Sequence, residues 1–125
     1  MLITAALLLA PVAFAQGGGE HSFVKKRYKI KGTAKIETVD NQTKIVLSDD
    51  FKTKNGPDLK VFLTKKPISD LSGDEVVSQG LKLSVLKSNK GAQSYIIPAD
   101  VDLSEYESIV IHCEAYTVLW GGFDL

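Results

Sequence analysis

From Tyr28 onward the chain alternates residue by residue: Tyr28, Ile30, Gly32, Ala34 and Ile36 stand between Lys29, Lys31, Thr33, Lys35 and Glu37. A period of two sends successive side chains to opposite faces of an extended segment, so this stretch is predicted as a half-buried strand. Asp40 and Asn41 supply turn chemistry, and Thr43, Ile45 and Leu47 alternate with Lys44, Val46 and Ser48 on the return strand of a hairpin. A second turn signal, Asn55-Gly56-Pro57-Asp58, leads into the strand Leu59-Lys60-Val61-Phe62-Leu63, because glycine admits positive φ and proline fixes its own. Between residues 65 and 80 the alternation loosens around Pro67 and Ser72-Gly73-Asp74, which predicts a long loop with one helical turn. Leu81, Leu83 and Val85 restore the period, and Asn89-Lys90-Gly91 predicts another hairpin turn before Gln93-Ser94-Tyr95-Ile96-Ile97, which Pro98 ends. Asp102 is placed to cap a helical turn through Tyr106, and residues 109–120 read as one bent strand or two short ones. No segment sustains helical spacing and no internal repeat occurs. The expectation is an all-β, antiparallel fold, a sandwich or a small partly open barrel of about seven to eight strands.

The N-terminus changes the domain reading. Residues 1–15 carry no charge, contain Ala5-Ala6-Leu7-Leu8-Leu9-Ala10 and end in Ala13-Phe14-Ala15, which fits a signal peptide with a small-residue cleavage site. That apolar run is shorter than the roughly 20 residues a spanning helix needs, so the mature chain is expected to be exported, periplasmic or extracellular, with no membrane span. Residues 16–22 read as a flexible Gly-rich spacer and residues 23–125 as one domain. Lys and Arg number 15 against 15 Asp and Glu, with signs interspersed. The one basic block, Lys25-Lys26-Arg27, is too narrow for specific phosphate binding and reads as a solvated cluster flanking a strand; no nucleic-acid partner is expected.

Candidate chemistry concentrates near the C-terminus, where the only cysteine, Cys113, follows His112. An unpaired thiol in an exported domain is a buried inert side chain, a reactive group or half of an intermolecular bridge. On a regular strand Cys113 shares a face with Ile109, Ile111 and Ala115, while His112 turns the other way with Val110 and Glu114. A thiolate and imidazolium pair is therefore not expected, and the neighbouring Glu107 and Glu114 have the wrong sign to lower a thiol pKa. His21, His112 and Cys113 are the ligand types of a copper centre, but their placement diverges and the mature chain lacks a methionine, so no metal or cofactor of its own is expected. Asp100-Val101-Asp102-Leu103-Ser104 begins like a calcium loop and then departs from it, with Glu105 at the glycine position and Ile111 at that of the bidentate glutamate. No nucleophile elbow is present, and an enzyme is not expected. Phe62, Tyr116 and Trp120 alternate away from the main core set, so they either pack a second layer or form a ligand patch.

Three blocks then combine: Leu47-Ser48-Asp49-Asp50-Phe51 with Asn55-Gly56-Pro57-Asp58-Leu59-Lys60-Val61-Phe62-Leu63; Gly91-Ala92-Gln93-Ser94-Tyr95-Ile96-Ile97-Pro98; and Tyr106-Glu107-Ser108-Ile109-Val110-Ile111-His112-Cys113 with Ala115-Tyr116 and Trp120-Gly121-Gly122-Phe123-Asp124-Leu125. With Gly32-Thr33-Ala34 they resemble the DM-thirteen domain family, all-β extracellular modules often found beside DOMON domains. The resemblance implies an accessory role in redox or electron transfer, with Cys113 as the redox candidate. His112, Tyr95, Tyr116 and Trp120 are its candidate neighbours, and Asn55, Gly56, Pro57 and Asp58 the turn motif. It also implies a partner, a haem- or other redox-carrying envelope protein, that supplies the cofactor. The alternative is a non-catalytic cell-surface binding or structural module in which Cys113 is a core residue.

Overall fold

The computed structural model describes residues 19–125, and the expected signal peptide over 1–15 and the first part of the spacer lie outside the described residues. Within them the fold is an antiparallel sandwich with no closed barrel. One sheet has the order β1 (Glu20–Ser22), β4 (Thr33–Val39), β5 (Gln42–Leu47), β9 (Gln93–Ile97). The other runs β2 (Val24–Lys25), β11 (Val118–Asp124), β10 (Ser108–Cys113), β7 (Leu59–Thr64), β8 (Leu81–Val85). A short ribbon of β3 (Ile30–Lys31) and β6 (Lys52–Thr53) completes the described strands.

The alternation seen in the sequence builds the core directly. Ala34, Ile45, Leu47 and Tyr95 from the first sheet face Val61, Leu63, Ile109, Ile111, Cys113 and Phe123 from the second. The β4–β5 hairpin closes through Asp40 and Asn41, whose φ values of 52° and 65° suit a two-residue turn that follows the strand twist. The long strand expected over residues 28–37 is split. Gly32 has φ 98°, and a Cβ there would lie 2.7 Å from Ser48 Oγ and 2.8 Å from Phe51 Cα, so only glycine lets β3 peel away from β4.

Three expectations are corrected. Residues 20–22, assigned to a flexible spacer, form β1 and pair with β4, with His21 stacked on Phe123 at 5.0 Å. The hairpin predicted across Asn89-Lys90-Gly91 does not exist: β8 pairs with β7 in one sheet and β9 with β5 in the other. The chain crosses the sandwich there, held by the Gly91 N–H on Phe51 O (2.8 Å) and the Asn89 carbonyl accepting from Thr53 N–H (2.9 Å). Residues 65–80 hold more helix than one turn, a 3-10 turn at Ile68–Asp70 and then α1 (Gly73–Gln79). Ser72 Oγ accepts from Glu75 N–H while Glu75 Oε1 accepts from Ser72 N–H, a capping box that starts α1. This segment lays Ile68, Leu71 and Val76 over Phe62, Val110 and Leu119, roofing the outer face of the five-stranded sheet. Every residue of β10 is consequently buried, which accounts for its apolar stretch Ile109-Val110-Ile111.

Candidate functional site

β10 ends at Cys113, which lies opposite Leu59 of β7 and Val118 of β11. Because Leu59 opens β7, the turn at residues 55–58 packs against the turn that follows the cysteine. Asp58 makes the join: its carbonyl accepts from Glu114 N–H (3.0 Å) and its Oδ2 from Ala115 N–H (2.8 Å). Lys60 Nζ donates to Asp58 Oδ1 (2.6 Å) and Glu114 Oε1 (2.9 Å), and Lys82 Nζ donates to both Glu114 oxygens (3.1 and 3.2 Å). The hydrogen bond from Lys60 holds Asp58 below the usual carboxylate range, and those from Lys60 and then Lys82 do the same for Glu114. Asp58 and Glu114 in turn raise the ammonium pKa of Lys60.

The same turn also seats the tryptophan. A Cβ on Gly56 would lie 2.9 Å from Trp120 Cη2, so glycine is what lets the turn close over the indole. Trp120 Nε1 donates to Lys54 O (2.9 Å), and the Trp120 carbonyl accepts from the N–H groups of Lys26, Arg27 and Tyr28 at 3.0–3.2 Å. The Tyr28 and Trp120 rings meet at 4.4 Å between centroids. Outside the turn lies an open cleft of about 580 Å³ between residues 55–60 and 85–89.

The expected neighbours of Cys113 do not converge on it. The thiol is 1% exposed, packed in the main core with Leu59, Ile111 and Trp120. His112 lies on the opposite face, 0% exposed, edge-on to Phe62 at 5.6 Å, and neither ring nitrogen has a partner. Burial pushes its imidazole pKa down, opposed by the charge of Glu114. Tyr95 belongs to the other sheet, where its hydroxyl accepts from Lys87 N–H (2.7 Å) and donates to Gln93, pinning the crossing segment. Burial raises its phenol pKa. Tyr116 is 70% exposed on the turn after β10.

Of the three aromatics expected away from the main core, Phe62 packs a second layer and Tyr116 is exposed, but Trp120 belongs to the main core, which corrects the reading for that residue. A β-bulge in the β10–β11 register between Ile111 and His112 adds a residue to β11, and Trp120 turns inward while Phe62 goes under the helical roof. Among the described residues no three His, Cys, Asp or Glu side chains converge to hold a metal ion, and no helix is long and apolar enough to cross a membrane. Sequence reasoning missed Tyr28 and the Lys60, Lys82 and Glu114 network. Tyr28 carried a signal, an aromatic within a run of cations; the network, whose members stand up to 54 residues apart, carried none.

A family model described as "Electron transfer DM13" matches residues 22–125. No curated protein and no solved structure matches the chain.

Proposed function

The chain belongs to the electron transfer DM13 family, and from that membership we propose an exported accessory module that exchanges electrons with a partner carrying the cofactor, without catalysing a reaction of its own. The observation that carries this reading is the family match across almost the whole described domain. The partner in this reading, a haem- or other redox-carrying envelope protein, follows from the family resemblance. Cys113 is the redox candidate, standing at the end of β10 directly behind the Asp58 clamp. For the thiol to act, the turns at residues 55–58 and 114–117 must open, because a thiolate reacts only where solvent or a partner reaches it.

The 1% exposure of Cys113 favours a second reading for that residue, a small core side chain in a binding or structural module. Thiol labelling of the folded protein, beside electron exchange of the Cys113→Ala variant with candidate haem-carrying partners, separates the two. Labelling faster than global unfolding together with lost exchange in the variant supports the redox thiol. Labelling only after denaturation, with exchange unchanged, leaves Cys113 as packing, and an absence of exchange with every partner refutes electron transfer itself.

A further inference from the structure

Arg27, the last residue of the basic triplet, borders a larger cationic surface, whereas Lys26 turns away to donate to Ile68 O. β3 and β6 pair so that Lys31 faces Lys52, and Lys52 bridges to Lys90 on the crossing segment. Lys29, Lys31, Lys52 and Lys54 surround a shallow depression of about 300 Å³. Arg27 and Lys54 both lie over the Tyr28 ring, at 5.6 and 5.7 Å from its centroid. All six cations are exposed, and none forms a salt bridge among the described residues. They are six of the chain's 15 Lys and Arg, so the rest of the chain carries nine against 15 Asp and Glu. A chain of zero net charge thus gathers six cations on one surface. Like charges placed directly across an antiparallel pair destabilise it, so stability does not account for lysine at 31, 52 and 90 together.

We propose that this surface docks the acidic face of the cofactor-bearing protein partner, over the Tyr28 and Trp120 ring pair that leads into the core; the inference rests on the electron-transfer reading above. Charge complementarity identifies the occupant, since a one-sign patch steers encounter and fixes orientation without a large interface. A small anion fits less well: the depression has charge but few fixed donors, because Thr53 Oγ1 is committed to Lys29 O and Thr53 N–H to Asn89 O. Single-stranded nucleic acid needs free aromatic faces for base stacking, and Tyr28 is already taken by Trp120, Arg27 and Lys54.

The test uses a designed four-helix haem bundle with a glutamate-rich face, the same bundle with lysines in place of those glutamates, phosphatidylcholine vesicles holding about 30% phosphatidylglycerol, and a poly-dT oligonucleotide. The glutamate-faced bundle is expected to bind at low ionic strength and to weaken about tenfold as salt is raised and again in Lys52→Glu. That substitution is expected to raise Tm, because it replaces repulsion of Lys31 and Lys90 by attraction. Loss of binding without loss of stability is what a purely structural role cannot produce. The proposal fails if the lysine-faced bundle binds equally well, if Lys52→Glu leaves binding unchanged, or if vesicles, oligonucleotide or a second copy of the chain are held more tightly. Docking without electron transfer from the Cys113 thiol to the bundle's ferric haem, in which two thiols and two ferric haems give one intermolecular disulfide, two ferrous haems and two protons, would leave this surface standing and overturn the electron-transfer reading. Haem reduction indifferent to both salt and Lys52→Glu would do the reverse.

Discussion

Among the described residues, His112 is the one fully buried side chain whose polar atoms have no partner, which makes it the sharpest test of the packing described above. It lies opposite Lys60 on β7 and Leu119 on β11, beside Phe62, in the layer covered by the helical roof. A buried donor or acceptor left unsatisfied costs about 1–3 kcal/mol, and the neutral imidazole has one of each. Leucine is of similar size and removes both, so His112→Leu is expected to stabilise the domain at pH 7 by about 1–3 kcal/mol, raising Tm by about 5 °C or more. The pH dependence supplies an independent readout. Burial lowers the folded-state pKa of His112 below its ordinary 6.5, so the unfolded chain binds the proton first as pH falls. The neutral imidazole's contribution is intact above pH 6.5 and is lost below it, by up to about 1.4 kcal/mol per pH unit until the folded-state pKa is reached. Urea melts from pH 7.5 to 5, above the range in which the carboxylates titrate, should slope for the native chain and flatten in His112→Leu. A variant less stable than the native chain at pH 7, with the same slope, would show that the imidazole is hydrogen-bonded and the burial argument is wrong.

Other consequences follow from the clamp around the end of β10. Gly56→Ala should cost about 1–3 kcal/mol by forcing a methyl into the indole, and emission from Trp120, the only tryptophan, should shift to the red; an unshifted spectrum with unchanged Tm would refute the contact. Asp58→Asn should lower Tm and speed hydrogen exchange at the Ala115 amide, because the charge that binds Lys60 and accepts from that amide is gone. The lowered pKa values of Asp58 and Glu114 add stability that is present above their ordinary carboxylate range and lost as pH falls through the folded values. The raised value of Lys60 adds stability present below 10.5 and lost as pH rises through its folded value. Asp58→Asn should blunt both limbs of the melt profile. Thr117 sits at φ 53° in the turn after β10, a left-handed conformation costly for a β-branched residue, so Thr117→Gly should raise Tm through a gain of about 1 kcal/mol; a fall would place the strain elsewhere.

Strand existence was legible because a face buried on one side needs a period of two, which β4 and β5 carry, while β7 and β10, buried on both faces, stand out as short apolar runs. Strand partnership was not, because alternation says which way a residue points and nothing about which sheet receives it. Asn89-Lys90-Gly91 has hairpin composition, yet it hands the chain from one layer to the other. The difference lies in Phe51 and Thr53, distant in sequence, whose backbone groups bind the crossing segment. Helix α1 was within reach: Ser72 and Glu75 stand at capping-box spacing, but the seven-residue helix is too short to display a hydrophobic stripe. The opposed faces of His112 and Cys113 followed from strand geometry alone, and both are buried, Cys113 in the core between the sheets and His112 under the helical roof. The basic surface shows the converse limit. Lys31, Lys52 and Lys90 look like separate solvated charges along the chain, and only the β3–β6 ribbon and its bridge to residue 90 bring them together. A domain held by two-sided burial of β10 has little freedom to expose its thiol, so contact with a partner is most readily made where the chain already carries uncompensated charge over an aromatic pair.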